Sequence, residues 1–284
     1  MKLDYSDLIS PYPYRLVLEI NHNPIVIGEI KSPTLKEIWN PDITYNGYQM
    51  FIGLLLMNPQ KYCEQIKPEK LNWFNSLNEN EQNLLDMMQF IEEDTSLQKS
   101  YEKLFNFFFK ETVSWDSDNK VFFVTDDEVH YDSKKQVFYV VDEDGNKKET
   151  NSFGFISRGV LPIVCDVILQ KCGIALPDTD VDLSKVKSKK ARDIIKKLKL
   201  GKKKSNENNK PSKDDELPNL ITAISVKSNS INFTNVWDLT VYQFYEHFKR
   251  EQGNIYFDIQ ATRVAAYGDE KNMFKGYEWY KTSN

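Results

Sequence analysis

Lys202–Glu216, KKKSNENNKPSKDDE, constrains the folding of this chain more than any other stretch. Its 15 residues include no Leu, Ile, Val, Met or aromatic side chain. Such a segment buries nothing that could offset the entropy of ordering it, so a disordered linker is expected. Just before it, Lys185–Lys204 holds eleven Lys or Arg and one acid, Asp193. Within that run, Lys187–Leu200 fits a basic helix with a thin apolar stripe of Ala191, Ile194, Ile195 and Leu198, ended by Gly201. Packed cores must therefore form on either side. The expected organisation is a main body over 1–184, a basic helix and linker over 185–216, and a C-terminal helical module over 217–284.

The composition supports two packed regions. A hydrophobic fraction of 40% and an aromatic fraction of 13% argue against global disorder. No apolar run approaches the roughly 18 to 20 residues that span a bilayer, and the opening MKLDYSDLIS carries acids where a signal peptide would be basic. The expected location is a cytosol, with no membrane partner. Cys63, Cys165 and Cys172 have neither zinc-site spacing nor the even count of a disulfide framework, so reduced, partly buried thiols are expected.

Periodicity predicts an α+β fold that is predominantly α-helical, with an N-terminal hairpin and an inserted β-meander near residues 112–141. Tyr14, Leu16, Leu18 and Ile20 alternate with Arg15, Val17 and Glu19, and Asn21-His22-Asn23-Pro24 separates them from Ile25-Val26-Ile27, which reads as a hairpin. A short helix is expected from Ser32 to Ile38. Tyr45–Met57 reads as a helix apolar nearly all round and therefore buried. Asn58-Pro59 opens a further helix through about Ile66. Asn78–Glu92 reads as one helix with Leu84, Leu85, Met88 and Ile91 inward. Asp94 or Thr95 caps another through Phe109, striped by Leu97, Tyr101, Leu104, Phe105 and Phe108. Thr112–Trp115, Val121–Thr125, Val129–Tyr131 and Gln136–Val141 are short β-branched and aromatic runs, the meander extending to about residue 150 with a tight turn at Asp144-Gly145. Phe155–Cys172 returns to helix and Gly173 stops it. After the linker, Leu217–Val226 is helical.

The best-specified helix is WDLTVYQFYEHFKR, Trp237–Arg250. Thr240 suits an N-cap with Gln243 completing a capping box, and Leu239 and Phe244 suit a hydrophobic staple. Val241, Phe244, Tyr245 and Phe248 form its apolar face, which predicts that Gln243, Glu246, His247 and Arg250 are exposed. Gly253 is read as its stop, with Ile255–Tyr267 as a separate element.

No pattern in the chain carries chemistry. Walker A, Rossmann, G-x-S-x-G and H-E-x-x-H patterns are all missing. His22 reads as a solvated turn residue and His130 as a cross-strand packing residue. A calcium loop from Asp142 would place Lys147 where Gly is required and Phe153 where the bidentate Glu must sit. The expectation is a non-enzyme with no catalytic residue, no metal and no cofactor. The basic segment, with Lys187, Lys189, Lys190, Arg192, Lys196 and Lys197, has enough charge to contact phosphates. It lacks interleaved aromatics for base stacking, and the whole chain is acidic, at −5. Nucleic acid is therefore a second alternative only.

Three stretches carry a family likeness: Ile27–Tyr62, Trp237–Arg250, and the ending Arg263–Tyr280. In these the chain resembles tail-assembly-chaperone-like morphogenesis proteins of phages and prophages of low-GC Gram-positive bacteria. The resemblance implies a protein of the bacterial host cytoplasm that binds the tape-measure protein, tail-tube subunits, or both, with a homo-oligomer left open. Its alternative is a structural tail or baseplate subunit retained in the virion. Tyr and Trp bring contact area with a polar tip, so Tyr242, Tyr245, Trp279 and Tyr280 become candidate partner-binding residues, each competing with a plain core role.

Overall fold

The computed structural model describes residues 1–20, 23–126, 129–132, 135, 137–141, 146–149, 154–174, 216–269 and 274–276. The basic segment and linker, the turn at His22, the Asp142–Asp144 cluster, Trp279 and Tyr280 lie outside them. The fold is α+β and predominantly helical, as expected. The chain divides into two compact units, Met1–Ile174 with Thr240–Tyr242, and Ala175–Leu239 with Gln243–Asn284.

In the first unit a short helix α1 (Tyr5–Ile9) precedes the predicted hairpin, β1 (Tyr14–Ile20) with β2 (Asn23–Ile30). The pairing slips between Leu16↔Gly28 and Val17↔Val26, which leaves Ile27 as a bulge. The bulge brings β2 against other elements. Gly28 has φ +152°, and a Cβ there would stand 2.9 Å from the Phe109 ring and from Val124. Only Gly fits such a backbone and such a gap.

Helix α2 (Leu35–Ile38) starts at Thr34, which forms a full capping box with Glu37. Helices α3 (Tyr45–Leu55) and α4 (Pro59–Gln65) follow, capped by Thr44 and Asn58. The predicted helix over 78–92 is two helices, α6 (Glu79–Leu84) and α7 (Met87–Glu93), preceded by α5 (Leu71–Ser76). The break falls at Leu85-Asp86 because Asp86 is itself an N-cap, in a box with Gln89. Leu84, expected inside, ends the short α6 and is 78% exposed.

Helix α8 (Thr95–Phe108) is the axis of this unit. Leu97, Tyr101, Leu104, Phe105 and Phe108 are all buried, as their spacing predicts. Phe122 packs on this stripe, 5.2 Å from Phe105 and 6.4 Å from Tyr101 between ring centroids. A buried Phe stabilises by about 1.5–3 kcal/mol, so this cluster is a large part of the core.

Strands β3 (Thr112–Asp116), β4 (Val121–Thr125), β5 (Val129–Asp132) and β6 (Val137–Val141) lie where expected, but they do not form one meander. β3 and β4 pair with β8 (Gly154–Ile156), while β5 and β6 pair with β7 (Lys147–Glu149) in a second sheet. β8 takes the place of the predicted helix start at Phe155. Helix α9 begins only at Leu161, with Pro162 in its first turn, and runs to Lys171. Its inner face includes Leu161, Val164, Ile168 and Leu169, as predicted.

In the second unit α10 (Leu217–Lys227) buries Leu217, Ile221 and Ile224. Helix α11 begins at Val241, directly after Thr240, and runs to Tyr267 without a break. The stop predicted at Gly253 is absent. Gly costs roughly 1 kcal/mol in a helix interior, and a 27-residue helix absorbs that. The stop is Gly268, which adopts φ +79° and donates its amide to Val264 O at 2.8 Å.

Candidate functional site

Helix α3 has two faces. Tyr48, Phe51 and Leu55 are buried, but Met50 is 52% exposed and Gly53 is open, which corrects the expectation of burial all round. Met50, Gly53 and Leu54 follow at i, i+3 and i+4, and Met57 lies just past the end of the helix. This second face forms one wall of an open groove of about 280 Å³. Ser96, Leu97 and Ser100 at the start of α8 form the opposite wall, and Ile66 at the end of α4 closes one side. Leu54 and Leu97 are buried and apolar, while Gly53, Ser96 and Ser100 are small. A Cβ at Gly53 would meet nothing within 4 Å, so the groove is open at that point. Two Met side chains with adaptable rotamers line an apolar concavity of side-chain size.

A polar cluster at Asp94 holds the groove wall. Asp94 caps α8 by accepting from the amides of Ser96 (2.9 Å) and Leu97 (3.2 Å). The Tyr62 hydroxyl of α4 donates to the same carboxylate at 3.0 Å, and Lys67 lies 3.6 Å away. Burial works to raise the Asp94 carboxyl, but the Leu97 amide, the Tyr62 hydroxyl, the Ser96 amide and Lys67 outweigh it and hold it below its ordinary range. Burial and the Asp94 contact push the Tyr62 phenol upward. Tyr101 on α8 donates to Leu54 O at 2.9 Å, a buried link between the two walls.

A second cleft, about 680 Å³, lies in the same unit beside Trp73, Leu85 and Phe90. Its cations are engaged: Lys70 with Glu93 at 2.8 Å, Lys120 with Glu92 at 3.2 Å, and Arg158 with Asp86 at 2.7 Å. Such exposed pairs contribute little to stability. Among the described residues, its lining includes no Ser, Thr, Cys or His.

Burial disfavours the thiolate form of all three cysteines. Burial pushes Cys165 and Cys172 up to about 12 and raises Cys63 as well. One Ser–His contact that the spacing gave no hint of occurs in the second unit, His247 Nε2 to Ser228 Oγ at 3.3 Å. Ser228 follows the last turn of α10 and accepts from the amides of Ser230 and Ile231, both at 3.3 Å. The contact ties the loop after α10 to α11. Among the described residues no group of three His, Cys, Asp or Glu is placed to hold a metal ion, and no helix is long and apolar enough to cross a membrane.

Of the predicted partner-binding residues, Tyr242 is half-buried and Tyr245 is 37% exposed, both on the first turns of α11. The predicted faces of that helix are mixed. Val241 and Phe244 are buried, Tyr245 is not, and Gln243, Glu246, His247 and Arg250 are half-buried where exposure was expected. Arg250 and Glu246 pair at 2.7 Å along the helix, which draws both charges onto its surface. His130 sits across from Tyr139 with ring centroids 5.4 Å apart, the cross-strand role expected of it. No sequence signal pointed to the α3–α8 groove, because its walls come from segments about 40 residues apart.

Residues 204–284 match the family model of the YomV second domain. This part of the chain is similar to a Bacillus phage- and prophage-associated family. The match begins inside the polar stretch 202–216 and takes in both α10 and α11. The YomV-like region covers less than a third of the chain and ties it to phage proteins. No curated protein and no solved structure matches.

Proposed function

We propose that this phage-related protein is a non-enzymatic tail-morphogenesis factor, a chaperone that holds an amphipathic helix of the tape-measure protein or of a tail-tube subunit. The observation that supports this reading most is the α3–α8 groove. An extended helical partner exposes apolar stripes that aggregate when bare. A groove with a Met-rich wall, an apolar floor and small residues at its rim accepts such a stripe by helix-in-groove contact. The Asp94–Tyr62 and Tyr101–Leu54 links fix the walls, so little ordering cost falls on binding.

The test is co-expression with the tape-measure protein of the same phage, followed by co-purification. Gly53→Arg fills the groove from an open position, so the fold is retained and the complex is lost. Gly53→Ala leaves both intact. A complex that survives Gly53→Arg, or no complex at all with either tail protein, overturns the proposal. Mass spectrometry of purified virions separates the alternative role, because a structural tail or baseplate subunit stays in the particle and a chaperone does not.

A further inference from the structure

The unbroken course of α11 through Gly253 lets its 27 residues be read as one surface, about 40 Å long at roughly 1.5 Å per residue. Its distal half has two unlike faces. Phe257, Ala261 and Val264 are half-buried. Phe274 packs on this side, its ring 5.2 Å from that of Phe257, and its amide donates to Asp269 at 2.7 Å. Ile255 and Ile259 each lie two positions from Phe257, about 160° round the helix at roughly 100° per residue. They are 38% and 59% exposed, and Gln252, Thr262 and Ala266 beside them are exposed as well.

The open face has a definite period. Tyr245, Phe248, Gln252, Ile255, Ile259, Thr262 and Ala266, all exposed but the half-buried Phe248, are separated by alternating steps of three and four, the spacing of a two-helix seam. The flanks are sorted by sign. Glu251 and Asp258 border one edge of the seam, and Lys249, Tyr256 and Arg263 border the other. Asp258 and Arg263 are both exposed, and neither forms an ion pair among the described residues.

These edges choose a partner and a direction. When two copies run parallel and in register, the acidic edge of one meets the basic edge of the other, with contacts five residues apart. Asp258 then faces Arg263 of a second copy, and Glu251 faces its Tyr256. An antiparallel pair would set the acidic edges against each other. We infer that the distal half of α11 is a parallel homodimerisation helix, in which Ile255 and Ile259 pack against the same residues of a second copy of this chain. Gln252 is the polar seam residue that fixes register. The inference is independent of the groove, which lies in the other unit.

The test is light scattering on the full chain over a concentration series. The expected mass is twice 33.3 kDa, about 67 kDa. Ile259→Lys sets like charges together at the seam from a position already exposed in the protomer. It gives a 33.3 kDa species with an unchanged circular dichroism spectrum. Asp258→Arg weakens the dimer about tenfold, equivalent to ~1.4 kcal/mol, and the double variant Asp258→Arg, Arg263→Asp restores it. A wild-type monomer at the highest concentration reached overturns the inference. So does a dimer that tolerates Ile259→Lys, or a double variant no tighter than Asp258→Arg. An Ile259→Cys variant that fails to cross-link to itself on oxidation rejects the parallel register.

Discussion

Gly154 is the position where one added methyl group should do the most damage. It opens β8 and pairs with Val124, where its Cα approaches the bulge of β2. A Cβ there would overlap the carbonyl oxygen of Ile27, and would stand 2.6 Å from its carbonyl carbon and 2.8 Å from its Cα. Carbon atoms in contact prefer about 3.5–4.0 Å, so strands must separate by about 1 Å. The obstacle is backbone on both sides, and no side chain can swing away. β2 is held at this end by Lys31 N to Phe108 O at 2.7 Å and Lys110 N to Glu29 O at 2.9 Å. β8 is held by the pairing of Ile156 with Phe122 at the aromatic core. Relief therefore costs either a strand pairing or core packing.

Overpacking typically costs about 1–3 kcal/mol, and this site belongs at the upper end. Taking ~3 kcal/mol, and about 2–4 °C per kcal/mol for a unit of this size, Gly154→Ala should lower the melting temperature by about 6–12 °C. Gly53→Ala is the matched control. It adds the same methyl group in a helix, where it meets nothing within 4 Å, and should raise the melting temperature by ~2–4 °C. Thermal unfolding followed by far-ultraviolet circular dichroism reads both. A Gly154→Ala protein melting within ~2 °C of wild type would falsify the claim that β2 and β8 are in backbone contact.

Three further outcomes follow from single groups. Asp94 has its carboxyl held below the ordinary range in the fold, so its contribution is complete above the unfolded value of about 4 and fades as pH falls through the folded value. Asp94→Ala should cost about 1 kcal/mol at pH 7 in urea unfolding, and its stability should fall less than that of wild type between about pH 5 and 2. Lys171 is fully buried with its ammonium donating to Asp7 O at 2.7 Å, and burial lowers its pKa. The folded state thus holds this proton less tightly than the unfolded chain, so this residue makes stability rise with pH below about 10.4. Lys171→Met should be neutral to stabilising by ~1 kcal/mol at pH 7 and should flatten that alkaline rise. Gly253→Ala should stabilise α11 by ~1 kcal/mol, since its Cβ also meets nothing within 4 Å.

Much of the fold was legible because it rests on local chemistry. The stripe of α8, the hairpin and the helix starts at Asn58 and Asp94 follow from residues within a few positions of each other. The errors arise where a local signal had two meanings. Asp86 reads as one more polar residue in an amphipathic helix, yet it is a cap that divides that helix. Phe155-Ile156 reads as the start of an apolar helix until β4 supplies strand partners more than 30 residues away. The groove between α3 and α8 was not legible at all. Gly53 and Met50 look like part of a wholly buried helix, and only tertiary packing decides which side of it stays open.

Gly253 is the case where the misreading matters most for function. A Gly followed by Asn is an acceptable helix stop on local grounds, and taking it as one separates Tyr245 and Phe248 from Ile255 and Ile259. Two short apolar stripes then look like two ordinary core faces. A glycine stop is usually accompanied by an apolar contact just past the glycine. Asn254 offers none, whereas Gly268 takes φ +79° and is followed by Asp269, whose carboxylate receives the Phe274 amide. With the stop moved to Gly268, the two stripes join into a single seam whose distal part, at Ile255 and Ile259, stays exposed in its own protomer. The same glycine that hides the seam from a local reading leaves its period intact, because it falls beside Gln252 and outside the line of seam residues.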